Sequence, residues 1–211
     1  MNALVIRPSS FLATVAAAVL MSASVSAMAQ SETTTSSQLQ PAEAPIGVYV
    51  GGTAGFGINN WSCDATCDRA TFSGKMFAGK RLTPGLAAEV NYFVFGKTSR
   101  SNANPAAQAM GYSIEDRKVT AWTLGINWEV ELIQDFTNQI RVGWGALEQR
   151  DTRLLTNNTS VTSKNHFTAP YIGAGLAFRL TRDVKLISAV DAFFKGRNSQ
   201  YLLSVGASAE F

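Results

Sequence analysis

The chain has 211 residues, 46% hydrophobic and 16% charged, enough for one folded domain. Its formal charge of +3 is too small and too scattered to favour nucleic acid as a partner. One His and two Cys leave few ligands for a metal centre, and no metal or cofactor is expected.

Residues 1–29 read as a secretory signal. Arg7 supplies a positive start, Phe11 to Met21 is an apolar run, and Ala27-Met28-Ala29 gives an A-x-A cleavage pattern, with Gln30 as the mature N-terminus. The apolar run falls short of the roughly 20 residues that a helix needs to cross a bilayer. Residues 30–45 are rich in Ser, Thr, Gln and Pro. Such a stretch buries too little apolar surface to offset its ordering entropy, so a flexible leader is expected.

From residue 46 to 211 the pattern turns to period two, the mark of strands with unlike faces. In Val48 to Ile58, Val48, Val50, Ala54 and Phe56 oppose Tyr49, Gly51, Thr53 and Gly57. Phe72 to Leu82 is less regular, with Lys75 and Arg81 opposite Met76 and Ala78. Leu86 to Lys97 sets Val90, Tyr92 and Val94 against Glu89 and Asn91. The clearest case is Val119 to Leu132, where Trp122, Leu124, Ile126, Trp128 and Val130 oppose Thr123, Gly125, Asn127, Glu129 and Glu131. Gln139 to Ala146 opposes Ile140, Val142 and Trp144 to Arg141, Gly143 and Gly145, and Tyr171 to Leu180 opposes Ile172, Leu176 and Phe178 to Gly173, Gly175 and Arg179. Val184 to Phe194 sets Leu186, Val190 and Phe194 against Lys185 and Asp191, and Tyr201 to Phe211 closes the set. A helix would scatter both groups of residues around its axis.

Each segment is near the 9–11 residues of a tilted membrane strand. Short links (Thr83-Pro84, Gln134 to Asn138, Thr181 to Asp183) alternate with long polar ones (Asn59 to Thr71, Thr98 to Lys118, Arg150 to Asn165), and a short link falls at Gly196 to Ser199. The expected fold is therefore all-β, an eight-stranded antiparallel up-and-down transmembrane β-barrel. A soluble barrel would turn its apolar face inward. Here the polar face is rich in Gly, which suits a narrow interior, while Trp122, Trp128, Trp144, Phe178 and Phe194 share the apolar face, as interfacial girdles require.

With these residues in view, the chain resembles the OmpA-type family of small eight-stranded outer-membrane barrels across nearly all of Gly47 to Phe211. The resemblance is carried by GVYVGGTAGFG at Gly47 to Gly57, AGKRLTPGLAAEVNY at Ala78 to Tyr92, YIGAGLAFRLTRDVKL at Tyr171 to Leu186 and the terminal YLLSVGASAEF. A monomer in the bacterial outer membrane is expected. The resemblance also implies that Leu203, Val205, Ala207, Ala209 and Phe211 form an assembly signal read by the outer-membrane insertion machinery. No peptidoglycan-binding domain is expected after Phe211, which aligns the chain with single-domain members.

The inward face carries Lys75, Arg81, Arg141, Arg179 and Lys185 against Glu89, Glu129, Glu131, Asp191 and Glu210. Buried charges cost several kcal/mol unless paired, so a lumen network of ion pairs is expected. An eight-stranded interior is just wide enough for side chains, which favours a filled lumen and a structural or surface-interaction role. A narrow porin-like channel for small solutes is the alternative.

Catalysis is not expected. His166 has Thr168 rather than Ser two residues on, and no carboxylate follows before Asp183. Cys63 and Cys67 have no further ligands for zinc and suit a small loop disulfide in an oxidising compartment. Gly52 to Gly57 is glycine-rich like a phosphate loop, but no helix follows it. Asn157 and Asn158 fit a glycosylation sequon that says little in a bacterial chain. The long connections are biased toward Arg and Lys, and Arg150, Arg153, Lys195 and Arg197 lie closest to the strand ends. Guanidinium forks suit phosphate, so these four are expected to hold lipid A phosphates of lipopolysaccharide among the outer-membrane lipids. Deleting Phe211 should lower the amount of folded, heat-modifiable barrel in outer-membrane fractions. Normal levels of the truncated chain would refute the assembly signal.

Overall fold

The structure, a computed structural model, describes residues 47–60, 68–101, 112–155, 159–196 and 199–211. The expected signal (1–29) and leader (30–45), Cys63, Cys67, Asn157, Asn158 and Arg197 lie outside the described residues.

Eight strands follow in chain order: β1 (Val48–Asn59), β2 (Ala70–Thr83), β3 (Leu86–Ser101), β4 (Tyr112–Ile133), β5 (Phe136–Leu155), β6 (Ser160–Arg179), β7 (Val184–Phe193) and β8 (Gln200–Glu210). Each pairs antiparallel with its sequence neighbour, and β1 pairs with β8 to close the barrel. The seam is completed by the Val48 N–H donating to the Phe211 carbonyl at 3.2 Å and the Phe211 N–H donating to the Val48 carbonyl at 2.8 Å. Closure leaves no unpaired edge in the wall.

The apolar face points outward. Trp122, Leu124 and Trp128 are 59%, 68% and 56% exposed, while Thr123 and Asn127 between them are 3% and 0% exposed. The same inversion runs through Phe56, Phe72, Met76, Trp144, Leu203 and Val205, all exposed on the outer surface. In water this arrangement would be ruinous; in hydrocarbon it is the required one.

Three tight connections define one rim. Pro84-Gly85 and Gln134-Asp135 are two-residue turns, Asp135 taking the left-handed conformation (φ 68°) that this turn needs. At the third, Thr181 Oγ1 accepts a hydrogen bond from the Val184 N–H at 3.1 Å.

At the opposite rim the expected boundaries need correction. Thr98 to Lys118 was expected as one connection, yet β3 runs to Ser101 and β4 starts at Tyr112. Arg150 to Asn165 was expected as another, yet β5 runs to Leu155 and β6 starts at Ser160. Strands β4, β5 and β6 reach 22, 20 and 20 residues, against 12 in β1 and 10 in β7. The extra length is mostly polar on both faces, with scattered exceptions such as Ile114 and Val161, so it lacks the apolar alternation that betrays a membrane strand. Cross-strand pairs hold it instead: Arg117 to Asp151 inside, Lys97 to Asp116 and Thr152 to Thr162 outside. A register shift between Phe95 and Thr98 also exchanges the faces of β3, so that buried Thr98 follows buried Phe95 at a spacing of three.

Placing a charge in the apolar band should be costly, and placing one above it should not. Leu124→Arg is expected to lower stability by about 2–4 kcal/mol in phospholipid vesicles, read by urea unfolding. Ser160→Arg should cost less than about 0.5 kcal/mol. Equal losses at both positions would contradict the outward apolar face.

Candidate functional site

The lumen holds most of the charges in the membrane-spanning barrel, arranged in layers. Nearest the rim of short turns, Glu129 is the hub. It accepts from Arg81 at 2.9 Å, Lys185 at 3.3 Å, Gln139 Nε2 at 2.9 Å and Asn127 Nδ2 at 3.2 Å. Glu210 is the second acceptor, meeting the Arg81 guanidinium and lying 3.5 Å from Lys185. Two cations and two carboxylates thus share one mesh, and each charge has more than one partner. Asn127 ties it to the next layer through the Tyr49 hydroxyl at 3.1 Å.

Deeper in, the pairs lose contact with water. Lys75 Nζ lies 2.7 Å from Asp191, with neither side chain accessible to solvent. The Tyr171 hydroxyl donates to the other Asp191 oxygen at 2.6 Å. Gly173 makes room for this group: a Cβ there would fall 2.5 Å from Asp191 Oδ1 and 2.9 Å from the Tyr171 hydroxyl. Lys75 also sits 5.6 and 5.5 Å from the ring centres of Phe77 and Phe93, near enough for both to share its charge. Arg141 Nε lies 3.2 Å from Glu89 Oε1, a charge contact whose angle falls outside hydrogen-bond alignment. Glu89 gains a well-formed bond from the Tyr49 hydroxyl at 2.7 Å, and Arg141 donates to Gln139.

Next comes an aromatic layer. Phe93, Phe95, Tyr171 and Phe193 pack with ring centres 5.0–6.2 Å apart, and Val119, Leu147 and Leu202 close around them. All are buried inside the lumen. The sequence carried this signal, because Phe93 and Phe95 share parity with Glu89, and Phe193 with Asp191; reading the inward face as charge and glycine missed it.

Beyond the aromatics lies a second charged layer, also missed. Arg117 grips Asp151 through Nε at 2.8 Å and a terminal nitrogen at 3.3 Å, and Gln149 donates to the same carboxylate at 2.7 Å. Glu115, 1% exposed, receives Arg100 and Arg153, the latter at 3.2 Å. These residues fell within expected loops, where parity was not followed.

The structure brings together Lys75, Arg81, Glu89, Glu129, Arg141, Lys185, Asp191 and Glu210. Glu131 and Arg179, expected beside them, must be corrected. Both keep inward parity, but they stand at the short-turn ends of their strands, Arg179 in the last pair opposite Lys185 and Glu131 opposite Thr137 one pair before the end, and are exposed. Among the described residues neither joins an ion pair, because water already solvates them at the open rim. The expected phosphate group is also dispersed. Arg150 points outward, 3.6 Å from Glu148, whereas Arg153 points inward to Glu115. The Lys195 ammonium lies 3.3 Å from the ring centre of Phe167. His166 is exposed and faces Glu148 across the strand pair. Leu203, Val205 and Ala207 are exposed on the outer surface of β8, Ala209 is half-buried, and Phe211 follows at 80% exposure.

A family model for the outer membrane protein beta-barrel domain matches residues 15–191. No curated protein sequence matches the chain. Among solved structures, the fold is similar to Neisserial surface protein A at TM-score 0.54 and 16% identity, covering 78% of this chain and 97% of that one. It is similar to the N-terminal beta-barrel domain of Pseudomonas aeruginosa OprF at TM-score 0.51 and 12% identity, covering 79% and 98%. The attachment invasion locus protein Ail of Yersinia pestis follows at TM-score 0.50 and 12% identity, covering 78% and 97%. At such identities these likenesses speak for the fold.

The hub and the rim should respond differently to loss of a carboxylate. Glu129→Ala leaves Arg81 and Lys185 short of a partner and is expected to cost about 3 kcal/mol, toward the lower end for a broken buried pair. Glu131→Ala should cost under about 1 kcal/mol, as for exposed charges. Urea unfolding in phospholipid vesicles reads both, and equal losses would contradict the assignment of Glu129 as hub.

Proposed function

The chain belongs to the outer membrane protein β-barrel family and is an integral protein of the bacterial outer membrane, and from that premise we propose that it serves as a closed barrel displaying its tall rim to the exterior. The export signal is cleaved before Gln30, and the β8 residues Leu203 to Phe211 guide insertion by the outer-membrane machinery. The barrel works as a monomer in contact with outer-membrane lipids and lipopolysaccharide. Its role is structural and surface-interacting, with the lumen closed by paired charges.

The observation that carries this reading is the stack of layers across the interior. Asp191 binds Lys75 with both side chains sealed from solvent, and Phe93, Phe95, Tyr171 and Phe193 pack directly beyond. A solute passing through would have to separate a buried ion pair and part an aromatic cluster. Breaking one buried pair alone costs about 3–5 kcal/mol, too much for a steady aqueous path.

A second reading, a narrow channel for small solutes, rests on a different observation. Thr53, Asn91, Thr123 and Ser204 turn buried hydroxyl or amide atoms inward with no hydrogen-bond partner. Buried polar groups are ordinarily satisfied, and these would be satisfied by water threading the lumen.

Conductance of the purified barrel in planar bilayers separates the two. The closed reading expects no sustained current above the bare membrane, with openings appearing in Asp191→Ala. Steady unitary currents from the unaltered chain would establish the channel instead.

A further inference from the structure

Above the apolar band, the outer surface of β4, β5 and β6 carries a row of cations that folding does not explain. The strand registers place Lys118 opposite Arg150, and Arg150 opposite Lys164. All three are exposed and share parity with outward-facing Trp122, Trp144 and Ile172. Like charges directly opposite on a sheet repel and weaken it. Among the described residues relief is slight: Arg150 has only Glu148, 3.6 Å away with both side chains well exposed, and Lys118 and Lys164 have no acidic partner.

The rows below this one supply the rest of a site. Two residues nearer the membrane, Thr120, Glu148 and His166 stand side by side; two further, Trp122, Ala146 and Thr168 do so. Tyr92 packs against Trp122 with ring centres 4.5 Å apart. Together they border a surface groove of about 420 Å³, whose lining includes Tyr92, Trp122, Thr120, Glu148, His166 and Thr168.

Depth selects the ligand. Trp and Tyr on an outward face mark the membrane interface. Four residues of strand separate Trp122 from Lys118, about 13 Å along the chain at roughly 3.3 Å per residue. With a strand tilt of roughly 40° that is about 10 Å along the membrane normal. The headgroup layer takes up about 5–8 Å on each side of the hydrocarbon, so the row stands at its outer edge. The cations therefore stand at the outer edge of the headgroup layer, from which their long side chains reach lipid phosphates, and the groove lies beneath them at headgroup depth.

We propose that this face of β4–β6 binds the phosphorylated sugar headgroup of an outer-leaflet glycolipid. Arg150 holds the phosphate between Lys118 and Lys164, its planar fork giving paired hydrogen bonds while the lysines add charge. The sugar ring rests against Trp122, and Glu148, Thr120 and Thr168 meet its hydroxyls. The carboxylate of Glu148 lies one row below the phosphate level, where it accepts from hydroxyls instead of opposing the anion. The proposal rests on the reading that the tall rim faces the exterior. It reassigns lipid contact from Arg153 and Lys195, which the structure turns to Glu115 and Phe167, to Lys118 and Lys164 beside Arg150.

The test uses the full mature chain refolded without lipid and added to vesicles containing bisphosphorylated lipid A or the same lipid dephosphorylated. The parent should bind the phosphorylated lipid at least tenfold more tightly than the dephosphorylated form. The variant Lys118→Gln/Arg150→Gln/Lys164→Gln should lose that preference while keeping its heat-modifiable mobility on gels. A variant that retains the preference overturns the site. Competition by millimolar inorganic phosphate as effective as by lipid would mean that phosphate alone is recognised, and would overturn the glycolipid assignment. Thr162→Cys, two residues above the row, tests the underlying reading separately in intact cells. Labelling by a membrane-impermeant thiol reagent places the rim outside, whereas labelling only after lysis removes that reading and this site with it.

Discussion

Hydrocarbon offers no hydrogen bonds, so each backbone amide within the membrane must find a partner in the protein at a penalty of several kcal/mol otherwise. The antiparallel ladder from β1 round to β8, sealed by Val48 and Phe211, meets that demand. Closure then dictates the rest. Every strand must turn alternate side chains toward lipid and toward a lumen only wide enough for side chains. Glycines on the inward face are one response to crowding. At Gly79 a Cβ would fall 2.2 Å from the Tyr49 ring, whose hydroxyl joins Glu89 to Asn127.

The enclosed charges are the other response. A lone Lys75 or Asp191 in this interior would be prohibitive; as a pair at 2.7 Å with Tyr171 and two aromatic faces beside them, they are tolerated and specific. The aromatic cluster of Phe93, Phe95, Tyr171 and Phe193 excludes water and so strengthens the electrostatics beneath it. Toward the short-turn rim the demand relaxes. Glu129 and Glu210 share Arg81 and Lys185 in a mesh open to some solvent, and Glu131 and Arg179 need no partner at all.

Period-two alternation made the barrel legible before any coordinates, because lipid enforces it residue by residue from Trp122 to Leu132. The same rule placed Lys75, Asp191, Glu89 and Arg141 on one face, although which cation meets which anion depends on register and shear that no single strand reveals. Beyond the membrane the signal fades for a physical reason. From Thr98 to Ser101 and from Arg150 to Arg153 the outward face meets water while the inward face carries buried polar groups such as Thr98 and Asp151, so polar residues occupy both parities and the strand looks like a loop. The bulge between Phe95 and Thr98 adds to this by exchanging the faces in mid-strand. The outward row of Lys118, Arg150 and Lys164 was hidden for the same reason, since it exists only through the registers of three strands.

The dry lumen depends on Lys75 and Asp191 facing each other as a buried pair. A double-mutant cycle in phospholipid vesicles, with Lys75→Met, Asp191→Leu and the combined variant unfolded by urea, measures it directly. Each single change should cost about 3–5 kcal/mol, because it strands a buried charge. The combined variant should recover about 2 kcal/mol or more relative to their sum, since no charge is then left behind. Strictly additive losses would contradict the buried pair, showing two groups solvated independently in a wet interior.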